Sequence, residues 1–326
     1  MAGRGTRLRP HSITVPKPLI PVAGKPIVQR LVEDLTASYG GTVEEIAFII
    51  GDFGAEVERQ LIALAEKLGA KGSIYHQKEQ LGTAHAILCA QESMQGNVIV
   101  AFADTLFRSD FKLDTNLDGV IWVKQVENPA AFGVVKLDEQ GFITDFIEKP
   151  EQFVSDLAII GIYYFNDAEY LRSELQYLID NDIKEKGEYQ LTNALENMKR
   201  KGKKFATGTI DEWLDCGNKE AVLYANQRVL EIKADAASTA KDAVIENSVI
   251  IQPCHIGAGV VIRNAVIGPH ATIGAGSKIE NALIARSLMQ ENCVLKNVVL
   301  DNAMLGSHVQ YEGQASDLSL GDYSKL

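Results

Sequence analysis

This sequence of 326 residues has little cysteine, no long apolar run and no excess of basic charge, and each shortage removes a class of protein. Its four cysteines, Cys89, Cys216, Cys254 and Cys293, show no C-x-x-C spacing. That excludes a zinc-finger framework and a disulfide-stapled secreted scaffold, and it fits reduced thiols in a cytoplasmic protein. No run approaches the roughly 20 apolar residues of a membrane span, and no signal-peptide pattern opens the chain. The net charge of −11 argues against a nucleic-acid partner, which would want a basic face. Small anionic substrates must then be drawn by a local cluster of cations. What remains, 46% hydrophobic and 23% charged residues, is ordinary globular composition at a length comfortable for two domains.

Acidic residues are missing from one stretch altogether. From Met1 through Arg30 the chain carries six Lys or Arg residues and no Asp or Glu. The stretch opens with the turn Ala2-Gly3-Arg4-Gly5-Thr6 and continues with Arg7, Arg9, Lys17 in PKPLIP and Lys25 in GKP. Glycines at 3 and 5 let the backbone take positive φ and approach a ligand. Successive N–H groups in such a turn make a concave anion site, and guanidinium groups beside it grip phosphate oxygens in a fork. A solvated basic tail is the plain alternative. Prolines set among Leu19, Ile20, Val22 and Ile27 are not the composition of a tail. The loop lacks the GKS or GKT of a Walker A motif and is not the G-x-G-x-x-G of a dinucleotide fold.

As a whole, G-x-G-T-R-L-x-P followed by two K-P pairs resembles the signature of the sugar-phosphate nucleotidyltransferases, which make nucleotide-sugars from a nucleoside triphosphate and a sugar-1-phosphate. In that family a buried strand feeds the glycine loop. The resemblance therefore implies a strand upstream of Met1, and residues preceding this start are expected.

The following segments alternate. Pro26 to Tyr39 and Ala55 to Leu68 have helical spacing, whereas Ile46–Ile50, Ser73–Gln77 and Asn97–Ala103 are short apolar strands, the last running into Asp104. A helix opens at Leu81-Gly82-Thr83. This pattern predicts an α/β fold with a Rossmann-like, mostly parallel mixed sheet, whose ligands gather at the carboxyl ends of strands. Strands at 119–126, 132–138, 142–150 and 158–165, helices at 168–179 and 190–199, a strand at 205–210 and a helix from 219 follow.

Beyond about Ala236 the hexads IENSVI, IRNAVI, IENALI and LKNVVL recur at spacings of 17, 17 and 16 residues, with Ile-Gly pairs between them. That is a solenoid of about four coils, aliphatics inward and small residues at the corners. It resembles the left-handed parallel β-helix that often follows the catalytic domain in this family. The domains expected are 1–235 and 236–326, the second an assembly surface for a homo-oligomer.

Asp104, in FADT, ends an apolar strand, and Asp215, in WLDCG, comes after another. Two such carboxylates can share a hard cation such as Mg²⁺, and strand-end aspartates also cap turns. The resemblance assigns both to the metal. It assigns Arg7, Lys17 and Asp104 to catalysis, and Ala2, Gly3, Gly5, Thr6, Arg7, Gln77, Gly82 and Thr83 to the nucleotide. Gln77 offers a donor and an acceptor to a uracil or thymine edge. Gly133, Glu148, Lys149, Gly161 and Tyr163 resemble the residues that face the sugar and its phosphate, and Glu188 the glutamate of a G-E-x-x-[IL]-T motif. The sequence departs from the short thymidylyltransferases by placing Glu196 where they carry an arginine. The expected reaction joins dTTP or UTP to glucose-1-phosphate, with mannose-1-phosphate guanylyl transfer less favoured. Alternatives are a non-catalytic subunit that binds nucleotide-sugar, and an acyltransferase using solenoid histidines His255, His270 or His308.

Overall fold

The computed structural model describes residues 3, 5–109, 113–233 and 236–314. The chain divides into two compact units, Met1–Ile20 with Pro26–Gly217 and Pro21–Lys25 with Asn218–Leu326. Between Ile20 and Ile27, β1 (Pro21–Val22) and β2 (Lys25–Pro26) make a small hairpin.

The first unit continues with α1 (Ile27–Tyr39), β3 (Glu45–Ile50), α2 (Ala55–Lys67), β4 (Lys71–His76) and α3 (Thr83–Leu88). β3 and β4 pair in parallel, from Glu45–Lys71 to Ile50–His76. Next come β5 (Val98–Ala101), β6 (Thr105–Arg108), β7 (Gly119–Gln125), β8 (Gly133–Leu137), β9 (Ile143–Glu148) and β10 (Leu157–Phe165). The unit closes with α4 (Ala168–Asp180), α5 (Leu191–Arg200), β11 (Phe205–Thr209) and β12 (Glu212–Asp215). The large sheet is mixed and runs β11-β7-β10-β8-β9, with β5 also on β10. β11 lies parallel to β7, whereas β10 meets β5, β7 and β8 antiparallel. The parallel share belongs to strands separated by helices. Strands joined by short turns, such as β8 and β9, can only return antiparallel.

β10 reads LAIIGIYYF and is buried along all but its first residue, as a strand covered on both faces must be. On α4, Leu171, Leu175 and Leu178 repeat at helical spacing and are fully buried in one core with Ile121, Phe165 and Phe205. Each such side chain contributes about 2–3 kcal/mol. Asp167 caps that helix by accepting from the Tyr170 N–H at 2.8 Å. β6 had no sequence signal. It forms its own two-stranded antiparallel sheet with β12, setting Thr105 opposite Asp215.

The second unit opens with α6 (Lys219–Ile232), capped by Asn218, whose Oδ1 accepts from the Ala221 N–H. Its solenoid strands are β13 (Val244–Glu246), β14 (Val249–Ile250), β15 (Cys254–Ile256), β16 (Val261–Ile267), β17 (Ala271–Ile273), β18 (Lys278–Ala285), β19 (Leu288–Met289), β20 (Val294–Asp301), β21 (Met304–Leu305) and β22 (Gln310–Glu312). Every solenoid pairing is parallel, at the 17, 17 and 16 residue offsets of the hexads. Ile262, Ile279 and Leu295 stack in one buried column, and Ile267 and Ile284 in another. Asn247, Asn264, Asn281 and Asn297 turn successive corners at φ +45° to +53°, a conformation that asparagine tolerates. Their amides form a ladder at 2.7, 3.2 and 3.1 Å. Buried Asn226 of α6 accepts from the Ala23 N–H (2.8 Å) and the Thr272 hydroxyl (2.7 Å), tying the hairpin to the first coils. No helix among the described residues is long and apolar enough to cross a membrane.

Candidate active site

The glycine turn folds back on the segment that follows it. Gly5 takes φ +55°, and a Cβ there would stand 3.2 Å from the β-carbons of both Lys17 and Ser12. The Ser12 hydroxyl donates to the Gly5 carbonyl at 2.6 Å, and buried Leu8 anchors the turn. Pro18 and Ile20 are buried as well, so the proline-rich stretch anchors the chain immediately after Lys17. Its ammonium, only 10% exposed, donates to Asp104 Oδ2 at 2.7 Å.

Asp104 sits between β5 and β6, and the β6–β12 ladder carries Asp215 to the same place. The Cys216 N–H donates to the Asp104 carbonyl at 2.9 Å, which fixes the two chain segments side by side. Burial pushes the Asp215 carboxyl above the ordinary aspartate range, and the charge of Asp104 adds to the effect. Lys17, Arg7 and the Gly217 N–H oppose the shift without cancelling it. Gly217 leaves room for this cluster, since a Cβ there would lie 2.8 Å from Asp215 Oδ2 and 3.3 Å from Arg7 Nη2.

Two cavities meet at this cluster. The larger, about 430 Å³, is lined by Gly3, Gly5, Thr6, Arg7, Lys17, Gln77, Gly82, Thr83 and Asp104 among others. The smaller, about 220 Å³, is lined by Arg7, Thr83, Asp104, Gly133, Glu148, Lys149, Gly161, Tyr163 and Asp215 among others. Arg7, Thr83, Phe102, Asp104 and Glu188 border both. Every site residue expected from the sequence therefore lies on one wall or the other, except Ala2, which falls outside the described residues together with Arg4 of the same turn.

Local structure explains each position. Gly82, at φ +113°, is pressed against the backbone of Tyr189, where a Cβ would sit 2.5 Å from its carbonyl oxygen. The Thr83 hydroxyl accepts from the Leu191 N–H (2.9 Å) and donates to Gln190 Oε1 (3.2 Å). Gly161, at φ +84°, marks the bulge in β10 where the register on β7 shifts between Ile159 and Tyr163. The Phe102 N–H donates to the Gly161 carbonyl at 2.8 Å, so this bulge positions the turn that carries Asp104. Glu148 faces Lys149 at 3.2 Å and accepts from Thr192 at 3.4 Å. Burial, with the charge of Glu148, pushes the Tyr163 hydroxyl far above its usual range, so it stays protonated.

Sequence reasoning missed Phe102, Phe132, Thr192 and Trp213, which line the smaller cavity. Phe132 and Trp213 meet edge to face at 4.8 Å, and the Trp213 indole N–H is buried without an acceptor. Trp213 stands two residues before Asp215, and that proximity was the available signal. Glu196 lines neither cavity; its Oε1 accepts from Lys199 (2.9 Å) and Arg200 (3.1 Å) on α5. The solenoid histidines are not brought together. His255 contacts Ser238 and the Ala236 carbonyl, His270 pairs with Glu231 at 2.9 Å, and His308 is an exposed corner residue.

Among the described residues no group of three or more His, Cys, Asp or Glu side chains could hold a metal. Asp104 and Asp215 offer hard carboxylate oxygens in the space that Gly217 leaves open, which suits a cation that takes its other ligands from water and phosphate. The four cysteines are unpaired, and burial raises the Cys216 thiol beside this site.

The nucleotidyl transferase family profile matches residues 1–232. The chain is 31% identical over 257 residues to the low-salt glycan biosynthesis nucleotidyltransferase Agl11 of Haloferax volcanii, covering 76% of this chain and 70% of that one. It is 31% identical over 267 residues to a glucose-1-phosphate thymidylyltransferase of Streptomyces antibioticus, covering 79% and 71%. The bifunctional protein GlmU of Methanococcus maripaludis matches at 31% over 262 residues, or 77% of this chain, and the chain spans only 60% of that protein's length. In fold, a UDP-glucose pyrophosphorylase solved with UDP-glucose superposes with a TM-score of 0.57 at 24% identity, over 71% of this chain and 96% of that one.

Proposed function

Because the chain belongs to the nucleotidyl transferase family, we propose that it transfers a nucleotidyl group from a nucleoside triphosphate to a sugar-1-phosphate, releasing pyrophosphate. The observation that carries the reading is that Arg7 and Asp104 border both cavities. A triphosphate in the larger and a sugar phosphate in the smaller would meet where these two side chains stand. The first unit carries the chemistry, and the solenoid forms a second domain.

The sugar-phosphate oxygen attacks the α-phosphorus, a new P–O bond forms, and the bond to the β-phosphate bridging oxygen breaks. The protein's part in such a step is positioning and charge stabilisation. The glycine-turn N–H groups with Arg7 and Lys17 hold the triphosphate and meet the negative charge that grows on it. Lys149 and Glu148 orient the sugar and its phosphate, with Gly133, Gly161 and Tyr163 shaping the wall. Asp104 and Asp215 would hold Mg²⁺, which would supply positive charge to offset that of the phosphates. Gln77 favours UTP or dTTP, and the thymidylyltransferase relative supports glucose-1-phosphate as the acceptor. A homo-oligomer is supported by an outward apolar column on the solenoid, in which Val249, Leu283 and Val299 are 57%, 45% and 78% exposed. Reduced cysteines fit a cytoplasmic site for the reaction.

The test is pyrophosphate release over a grid of nucleoside triphosphates and sugar-1-phosphates with Mg²⁺. Turnover confined to one pair, or a few related ones, is expected. Binding of nucleotide-sugar with no turnover for any pair would replace the enzyme by a non-catalytic subunit.

A further inference from the structure

We infer that His85, which lines neither cavity, sets which base the site accepts by fixing the side-chain amide of Gln77. The inference rests on the reading of the larger cavity as the nucleotide site. Gln77 follows β4, its N–H bound to the Ile50 carbonyl at 2.9 Å. Its side-chain nitrogen lies 3.1 Å from the Gly82 carbonyl oxygen and 3.1 Å from His85 Nδ1.

Chemistry settles the orientation of these groups. A carbonyl oxygen only accepts, so the Gln77 nitrogen, not its oxygen, must face Gly82. That nitrogen carries two hydrogens. One goes to Gly82, and the other goes to His85, whose Nδ1 must then be the bare nitrogen with the proton on Nε2. The Gly82 carbonyl cannot move aside, because it also accepts from the Ala86 N–H at 3.1 Å. Its residue is pressed on the Tyr189 backbone, which is held by Ala84 and Leu81 at 2.9 and 2.8 Å.

With both hydrogens used, Gln77 has only Oε1 left for a ligand, and no partner to that oxygen is present among the described residues. Between pyrimidines, the site therefore favours one that presents an N–H at ring position 3. Uracil and thymine do so at N3. Cytosine presents a bare N3 in the same place, so two acceptors would face each other. Without His85, one amide hydrogen is released and the amide can tilt to offer it to cytosine. His85 is a positioning residue, acting through Gln77.

The experiment measures equilibrium binding of UTP and CTP, without sugar phosphate, to the wild type, His85→Leu and His85→Asn, with circular dichroism to confirm folding. UTP is expected to bind the wild type more tightly. In His85→Leu the UTP-to-CTP ratio should shrink by about tenfold, the worth of one good hydrogen bond. In His85→Asn, whose Oδ1 can accept where Nδ1 did, it should stay within about twofold of the wild type. The ratio is internal to each protein, so a general loss of affinity does not move it. An unchanged ratio in His85→Leu, or a ratio lost equally in His85→Asn, overturns the role of His85. A wild type that binds UTP and CTP alike overturns the reading of the cavity around Gln77, and this inference with it.

Discussion

The two units use the same residue types for opposite ends. In the first, glycines open space for side chains that converge, as Gly217 does for Asp215 and Arg7. In the solenoid, glycines open space for backbone against backbone, as Gly274 does where a Cβ would stand 2.4 Å from the Gln290 carbonyl carbon. Polar side chains of the first unit turn into cavities and remain partly unsatisfied. On the outer face of the solenoid they satisfy one another rung by rung, as the asparagine ladder does, and as Arg263 does with Glu246 at 2.6 Å. Repetition stabilises but cannot concentrate unlike groups at one point. The proposed chemistry is therefore assigned to the part of the chain that never repeats.

The largest expected effect follows from that contrast. Lys17→Met removes the cation beside Asp104, and kcat/KM should fall by about 10²–10³ with little change in melting temperature. His308→Ala, on an exposed solenoid corner, should leave turnover unchanged. A loss of turnover in His308→Ala would break the division of labour.

The reverse contrast is Ile284→Ala. This side chain is fully buried between Ile267 and Leu300 in adjacent coils. Its truncation should destabilise the solenoid by about 3 kcal/mol, read by chemical denaturation, while kcat per folded molecule holds.

How much of this was legible in the sequence also differs between the units. The register of the solenoid was readable, because 17, 17 and 16 residue offsets leave one alignment in which aliphatics stack. In the first unit the motif residues were legible, and their meeting was legible only through the family resemblance. Asp104 and Asp215 are far apart in the chain, and the strand that joins their neighbourhoods, Thr105–Arg108, has four residues and no alternation to betray it. The roles of Trp213 and Phe132 were hard to read for a related reason. An aromatic that closes a cavity has the same sequence appearance as one that fills a core. Gln77 was legible as a candidate, whereas the histidine that aims it required the fold.

A smaller effect tests the strain at the site. Asp215 has a pKa above 3.8 in the fold, because burial and Asp104 outweigh Lys17 and Arg7. Its charge therefore lowers stability at neutral pH, and that loss is recovered as pH falls through the raised pKa toward 3.8. Asp215→Asn, without divalent cation, should be more stable than the wild type at pH 7 by about 1 kcal/mol. Thermal melts along a pH series should show the gap closing over that acidic window. A less stable variant at pH 7 would mean that Lys17 and Arg7 win. An effect of similar size belongs to the ladder, where Asn281→Ala should cost about 1 kcal/mol, for the lost amide bonds and for alanine at φ +50°.

The most direct test of the account is pyrophosphate release by the wild type, Arg7→Ala and Asp104→Asn on the best triphosphate and sugar-1-phosphate pair, with nucleotide-sugar binding measured in parallel. The account predicts turnover in the wild type and its near-complete loss in both variants, which remain folded. Full turnover in either variant would place the chemistry somewhere other than the junction of the two cavities.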